Sequence, residues 1–295
     1  MKFTLLFLLF PIMLSSQTMN YQGKERAYRL HVPNYFGAKK SLPLLIVLHG
    51  GGGNARRMGK FTGFSQLADR DTFIAVYPQA YKNHWNDGRG NSKFDSQKDN
   101  VDDVGFISAL IDTLCRQYPI SVKKIYVTGL SNGGMMCFRL GCELGGRIAA
   151  IAPVIANMPL SLFGQCNPPV PLSVLIMNGT EDPLMPYGGG EVHFRKRELG
   201  KVVSATQSLL FWRTHNACKT DSIALTLPDT DPDDGCTTTM LRFSCTSDTE
   251  VIRYTIHGGG HNMPGCLQYL PRSLIGRTSH DFNGAEVIWN FFVQH

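Results

Sequence analysis

The stretch Gly129-Leu130-Ser131-Asn132-Gly133 constrains this chain more than any other. It follows a β-branched run, Lys124-Ile125-Tyr126-Val127-Thr128, and precedes the helix-compatible Gly134-Met135-Met136-Cys137-Phe138-Arg139-Leu140. A G-x-S-x-G pentapeptide in that setting reads as a sharp turn from strand into helix. The two glycines let neighbouring elements close on a strained serine, whose hydroxyl then stands clear of the sheet. In a chain with 30 glycines a bare match is more often an ordinary turn, so the reading rests on what else the chain carries and in which order.

A nucleophilic serine needs a base to take its proton, an acid to orient that base, and donors for the oxyanion. Downstream, the apolar run Leu172-Ser173-Val174-Leu175-Ile176-Met177 breaks at Asn178-Gly179-Thr180-Glu181-Asp182-Pro183, which puts a carboxylate on the loop at a strand end. Asp182 is the candidate acid in preference to its neighbour Glu181: Pro183 fixes the turn just after it, and the shorter side chain holds an imidazole more rigidly. A further strand, 249–256, runs into His257-Gly258-Gly259-Gly260-His261. His261, carried out on the loop, is the candidate base, whereas His257 still belongs to the strand end. Upstream, Leu44-Leu45-Ile46-Val47-Leu48 opens into His49-Gly50-Gly51-Gly52-Gly53-Asn54. Glycines there let backbone N–H groups approach an oxyanion, and Gly51 is the candidate first donor with Asn132, directly after the serine, as the second. A phosphate-cradling loop is the competing reading, but no Gly-Lys-Ser/Thr follows. The chain order Ser, Asp, His is that of the α/β-hydrolase fold.

The remaining pattern agrees with an α/β chain that forms a single doubly wound, mostly parallel sheet flanked by helices. Strands are expected over 26–32 at an edge, 44–48 and 73–77, and near Lys124, Ile148 and Leu172, with helices over 58–69 and 281–293. Asp102 and Asp103 open a helix whose apolar residues Val104, Ile107, Ile111, Leu114 and Tyr118 step by three and four, with acids at its positive dipole end, so both aspartates read as structural. At 295 residues with 43% hydrophobic composition the chain can bury one sizeable core. The net charge of +6 is scattered, with Arg195-Lys196-Arg197 its only compact triplet, and reads as solvated surface rather than a nucleic-acid site.

The first residues read as a signal peptide over 1–16: a Met1-Lys2 n-region, an apolar core from Phe3 to Leu14 and a Ser15-Ser16-Gln17 cleavage zone. The apolar run is too short for a bilayer span and Pro11 interrupts it, so no stable membrane anchor is expected. The mature domain then covers 17–295. Eight cysteines fit an oxidising compartment but allow 105 connectivities, and no C-x-x-C pair points to zinc. Asp229, Asp231, Asp233 and Asp234 imitate a calcium loop, but the glycine comes one place late and Met240 stands where a bidentate glutamate belongs, so an acidic solvated loop is preferred. The sequon Asn178-Gly179-Thr180 sits beside the candidate acid, where a glycan would block the site. Ser121 and Lys124 have S-x-x-K spacing but precede a strand where that motif requires a helix.

Several of these stretches together resemble a known family. Leu48-His49-Gly50-Gly51-Gly52-Gly53-Asn54, Trp85-Asn86-Asp87-Gly88-Arg89, Val101-Asp102-Asp103-Val104-Gly105-Phe106, the serine elbow with Gly134-Met135-Met136, Gly179-Thr180-Glu181-Asp182-Pro183 and Gly258-Gly259-Gly260-His261 are similar to the secreted poly(3-hydroxybutyrate) depolymerase and feruloyl esterase group, over 25–294. The resemblance implies a secreted serine ester hydrolase, extracellular or periplasmic, with Ser131, Asp182 and His261 as its triad and no metal or organic cofactor. Many feruloyl esterases of the group carry a cysteine where Gly51 stands. The ester substrate is then a feruloyl or acetyl group on plant polysaccharide, or a hydroxybutyrate polyester or its oligomers. A non-catalytic secreted carbohydrate-binding protein is the reading from another class, and a serine peptidase a further one. The resemblance also favours bridges Cys142–Cys166, closing the loop after the elbow helix, and Cys218–Cys245, stapling the segment before the histidine strand. Cys115 and Cys137 fall in helical patterns as buried thiols. Trp85 is either a stacking surface for substrate or a packing residue.

Overall fold

A computed structural model describes residues 15–33 and 41–295. The expected signal peptide lies outside these residues apart from Ser15 and Ser16, which begin the first strand. In chain order the strands are β1 Ser15–Tyr21, β2 Lys24–His31, β3 Leu42–Leu48, β4 Ile74–Pro78, β5 Ile120–Leu130, β6 Ala150–Val154, β7 Ser173–Gly179, β8 Gly190–Phe194, β9 Arg197–Val202, β10 Ile223–Thr226, β11 Thr237–Ser244 and β12 Glu250–His257. The helices are α1 Ala55–Phe61, α2 Phe64–Asp71, the single turn α3 Asp95–Lys98, α4 Asp103–Gln117, α5 Asn132–Leu144, the single turn α6 Leu160–Phe163, α7 Ala205–His215, the single turn α8 Arg272–Ile275 and α9 Gly284–Phe292.

Ten strands form one sheet in the order β1-β2-β4-β3-β5-β6-β7-β12-β11-β10. The six from β4 to β12 are parallel, and antiparallel pairs close both ends. The central strands are buried on both faces, which is why their sequences run apolar without alternation. Along β3 the side chains Leu44, Ile46 and Leu48 enter the core on one face, with Phe106, Ile107 and Leu110 of α4 and Phe138 of α5. Leu45 and Val47 enter the core on the opposite face, with Phe64 and Leu67 of α2 and Ile288 and Trp289 of α9. From β3 the chain crosses to β4 on one side, then returns to β5 on the other. The crevice outside the carboxyl ends of β3 and β5 is therefore the topological switch point, where open α/β sheets place their ligands.

Two expectations need correction, and two hairpins were not foreseen. The strand expected at the edge is β2, one place inside it, because the polar segment beginning at Ser15 pairs along its whole length as β1, Ser15 opposite Leu30 and Tyr21 opposite Lys24. The helix expected over 58–69 is two helices, broken at Thr62-Gly63. The hairpins formed by β8 with β9 and by β10 with β11 carry too weak an alternation to be read from sequence. The aspartates that open α4 are structural, as expected. Asp102 accepts the Gly105 N–H at 2.8 Å, and the fully buried Asp103 pairs with Arg26 of β2 at 2.6 Å. The cysteine bridges are Cys142–Cys166 and Cys218–Cys245, while Cys115, Cys137, Cys236 and Cys266 are free.

Candidate active site

Register alone brings the predicted residues to one edge. Leu48, the last residue of β3, is opposite Gly129 of β5, and Leu130 is opposite Val154 of β6. Beyond the last pairs, backbone bonds continue the ladder into the loops. The Ser131 N–H donates to the Val154 carbonyl at 3.0 Å, the Ile155 N–H to the Met177 carbonyl at 2.7 Å, and the Glu181 N–H to the Gly259 carbonyl at 2.9 Å. The loops bearing Ser131, Asp182 and His261 thus leave a common row of carboxyl ends.

Ser131 stands between β5 and α5 with φ +54° and ψ −116°, a region that costs a non-glycine residue about 1–3 kcal/mol. The surroundings hold it there. A Cβ on Gly133 would lie 2.4 Å from the Leu48 carbonyl oxygen, and one on Gly129 would lie 2.6 Å from the Gly133 carbonyl oxygen. Both positions of the pentapeptide therefore require glycine for close backbone approach. The serine hydroxyl takes no part in capping α5. It sits at the helix N-terminus, where unpaired N–H groups and the macrodipole favour negative charge.

Asp182 and His261 are brought together. The His261 Nδ1–H donates to Asp182 Oδ2 at 2.6 Å, with the two side chains 3% and 2% exposed. The other carboxylate oxygen, Oδ1, accepts the N–H groups of Leu184 and Met185, each at 2.8 Å. These bonds fix the orientation of the carboxylate. With Nδ1–H committed to Asp182, the neutral imidazole presents Nε2 as an acceptor. The loop beneath His261 is secured by its N–H to the Ile275 carbonyl at 2.5 Å and by the Tyr269 hydroxyl, which donates to the His261 carbonyl at 3.1 Å. The rejected alternatives lie elsewhere: the Glu181 side chain is 63% exposed and pairs with Arg277, and His257 is exposed and bonds Thr239 at 2.9 Å.

In the loop after β3, the Gly51 N–H donates to no group among the described residues, while the Gly52 N–H is taken by the Asn83 carbonyl at 2.9 Å and the Gly53 N–H by the Gly50 carbonyl at 3.0 Å. His49, at the head of the loop, is buried. Its Nδ1–H donates to the Gly50 carbonyl at 2.8 Å, and Nε2 accepts the Ala80 N–H at 3.1 Å. Burial, with the nearby His84, pushes its pKa down to about 4 despite the bond to Gly50.

Trp85 is fully buried, and its indole N–H donates to the His49 carbonyl at 2.9 Å. Of the two roles open to it, packing is the one it occupies; substrate cannot reach its ring. The residues missed by sequence reasoning lie just beyond. Asp87, fully buried, binds the Arg89 guanidinium at 2.8 Å and accepts from Gln97 at 3.1 Å and from the Asn132 side-chain amide at 2.5 Å. Asn132 is thereby locked through its side chain while its backbone begins α5. In sequence this hub shows as a pair of opposite charges flanking Gly88, within the Trp85–Arg89 stretch that shares in the family resemblance. Asn178 of the sequon is buried and donates to Ala156 and Asn157, each at 3.1 Å. In the acidic loop Asp234 is likewise buried, accepting the N–H groups of Cys236 and His280 at 2.6 Å each, so that residue is structural rather than solvated.

With this geometry in place, the similarities to known proteins carry meaning. Residues 26–160 match the family model described as esterase PHB depolymerase, and relatives named feruloyl esterase and acetylxylan esterase also match the chain. Over these residues the chain is similar to this esterase family. The esterase is 28% identical over 279 residues to the putative esterase NocK of Nocardia uniformis subsp. tsuyamanensis, covering 92% of this chain and 80% of that one. It is 29% identical to the bifunctional acetylxylan esterase/xylanase XynS20E of Neocallimastix patriciarum, over 56% of this chain and 23% of that one. With feruloyl esterase B of Piromyces equi the identity is 27%, over 78% of this chain and 41% of that one. The esterase thus spans less than half the length of these last two proteins. Among solved structures, the acetyl xylan esterase from Aspergillus awamori superposes with a TM-score of 0.59 at 14% identity, covering 95% of this chain and 100% of that one, a likeness of fold. The esterase is accordingly a serine carboxylic ester hydrolase on an α/β-hydrolase scaffold.

Proposed function

We propose that Ser131 attacks the ester carbonyl while His261 Nε2 takes its proton and returns it to the leaving alcohol, with Asp182 orienting the imidazole and stabilising its charged form. The acyl group passes to Ser131 Oγ, and a water activated by the same histidine then releases the acid. The N–H groups of Gly51 and Asn132 receive the oxyanion; a single such donor is worth about 10² to 10³ in rate. The observation that carries this reading is the buried His261–Asp182 pair at the sheet edge that also bears the strained Ser131.

The substrates are proposed to be acyl esters on plant polysaccharide, feruloyl or acetyl, in line with the named activities of relatives from Piromyces equi and Neocallimastix patriciarum. A hydroxybutyrate oligomer is the second reading, favoured by the description of the matching family model. Action outside the cell is supported by the apolar N-terminal run and by the two disulfides, which persist in oxidising compartments. Product release from methyl ferulate, acetylated xylan and a 3-hydroxybutyrate oligomer, each measured beside Ser131→Ala, tests the proposal. Turnover lost in the variant establishes the nucleophile and selects the acyl class. A folded protein inert on all three esters would overturn the substrate assignment, and turnover retained by Ser131→Ala would overturn the mechanism.

A further inference from the structure

Three consecutive residues clasp the glycine loop after β3. The Asn83 carbonyl accepts the Gly52 N–H at 2.9 Å, and the Trp85 indole N–H donates to the His49 carbonyl at 2.9 Å. Between them, the His84 side chain lies directly against Gly51. A Cβ built on Gly51 would fall 2.9 Å from His84 Nε2 and 3.1 Å from its Cδ2, and 3.5 Å from the Cβ of Asn132. The imidazole therefore occupies the space that a side chain at position 51 would need. Its own ring is stacked on Phe94, with centroids 4.1 Å apart and planes inclined by 22°. The clasp is in turn tied to the start of α5, because the Trp85 N–H donates to Asn132 Oδ1 at 2.8 Å and the Asn132 amide donates to the Trp85 carbonyl at 3.1 Å.

A run of four glycines has wide backbone freedom, whereas an oxyanion donor is useful only when it is fixed before charge develops. The neighbours of Gly51 are held by hydrogen bonds to their own N–H or C=O groups. Gly51 must keep its N–H unspent, so it can be held only by packing. We propose that His84 is a positioning residue that backs Gly51 and keeps its N–H aligned with that of Asn132 on the developing oxyanion. The inference rests on the assignment of these two N–H groups made above. Burial lowers the His84 pKa, offset in part by a bond to the Lys82 carbonyl, so a neutral ring packs against the loop.

The test is a steady-state comparison on a p-nitrophenyl ester, with Ser131→Ala as the blank and thermal melting as the check on folding. His84→Ala should lower kcat about tenfold with KM nearly unchanged, because an oxyanion donor acts in the transition state and a displacement of even 1 Å is costly. Affinity for a trifluoromethyl ketone, which forms a tetrahedral oxyanion on the nucleophile, should fall in parallel. His84→Gln, whose amide still reaches Gly51, should keep most of the activity, and His84→Asn, which falls short, should not. Gly51→Ala should lose at least as much as His84→Ala, and Gly51→Ala combined with His84→Ala should be faster than Gly51→Ala alone, since the space is then vacated. Wild-type kcat in His84→Ala and His84→Asn, or a double variant no faster than Gly51→Ala, would overturn the positioning role while leaving the triad intact. Wild-type protein with no Ser131-dependent turnover would remove the site assignment, and this inference with it.

Discussion

At the scale of single residues, two buried groups have measurable consequences. Asp182 accepts two backbone N–H groups on one oxygen and the His261 Nδ1–H on the other. In Asp182→Asn the amide oxygen can keep the two backbone bonds while its NH2 group faces Nδ1. The imidazole must then present Nδ1 as the acceptor and carry its proton on Nε2, the wrong tautomer for a base. We expect kcat to fall by about 10³ to 10⁴ with little change in melting temperature, as steady-state kinetics beside thermal denaturation would record. His49 has the opposite logic, acting on stability. Its folded pKa is depressed to about 4 from an ordinary value of 6.5, because burial disfavours the charged ring and Nε2 already accepts an N–H. Between these two values the unfolded chain binds the extra proton. The stabilisation is therefore complete above pH 6.5 and is lost as pH falls toward 4, amounting to about 2–3 kcal/mol between pH 7 and pH 4.5. Urea melts at the two pH values should show this loss in the wild type and a smaller one in His49→Gln.

At the scale of elements, α5 concentrates the stability and the chemistry of the site. Its first residue follows the nucleophile, its Gly133 lies against the end of β3, and its last turn carries Cys142, bridged to Cys166 across a separation of 24 residues. Constraining a loop of that length lowers the entropy of the unfolded chain by an amount worth about 3 kcal/mol. Replacing both cysteines by alanine should therefore reduce the unfolding free energy by about 2–4 kcal/mol, read from chemical denaturation. The kcat should hold under conditions where the variant is folded, because the bridge lies at the far end of the helix from Ser131. The segment between β4 and α4 supports the site, and through Trp85 it also joins the core. It has little regular structure, yet His84, Trp85, Asp87 and Arg89 reach from it to the glycine loop, the start of α5 and the carbonyl of Leu199 in β9.

At the scale of the whole molecule, the six parallel strands determine which loops can meet, and the antiparallel pairs at the two ends extend the sheet without changing that edge. Much of this was legible in the chain. The serine elbow, the apolar runs of β3 and β7, the helical stripe of α4 and the order of serine, acid and histidine are local signals: each arises from residues close in sequence whose periodicity or turn chemistry is set by backbone geometry. The choice of Asp182 over Glu181 and of His261 over His257 could be argued from turn and strand-end position, and the burial of one member of each pair against the exposure of the other agrees with it. Other features had no local signature. Ser15–Tyr21 becomes a strand because β2 supplies its partner, and Trp85 becomes packing because the glycine loop closes over it. Asp87 becomes the anchor of Asn132 across 45 residues, and His84 meets Gly51 only because β3 and β4 lie side by side. The sequence by itself determined the fold class and the chemical identity of the groups available to act, since those depend on short-range patterns. Only the tertiary structure decided which groups are buried, oriented and held against one another, because these properties depend on the distances between segments that the chain keeps far apart.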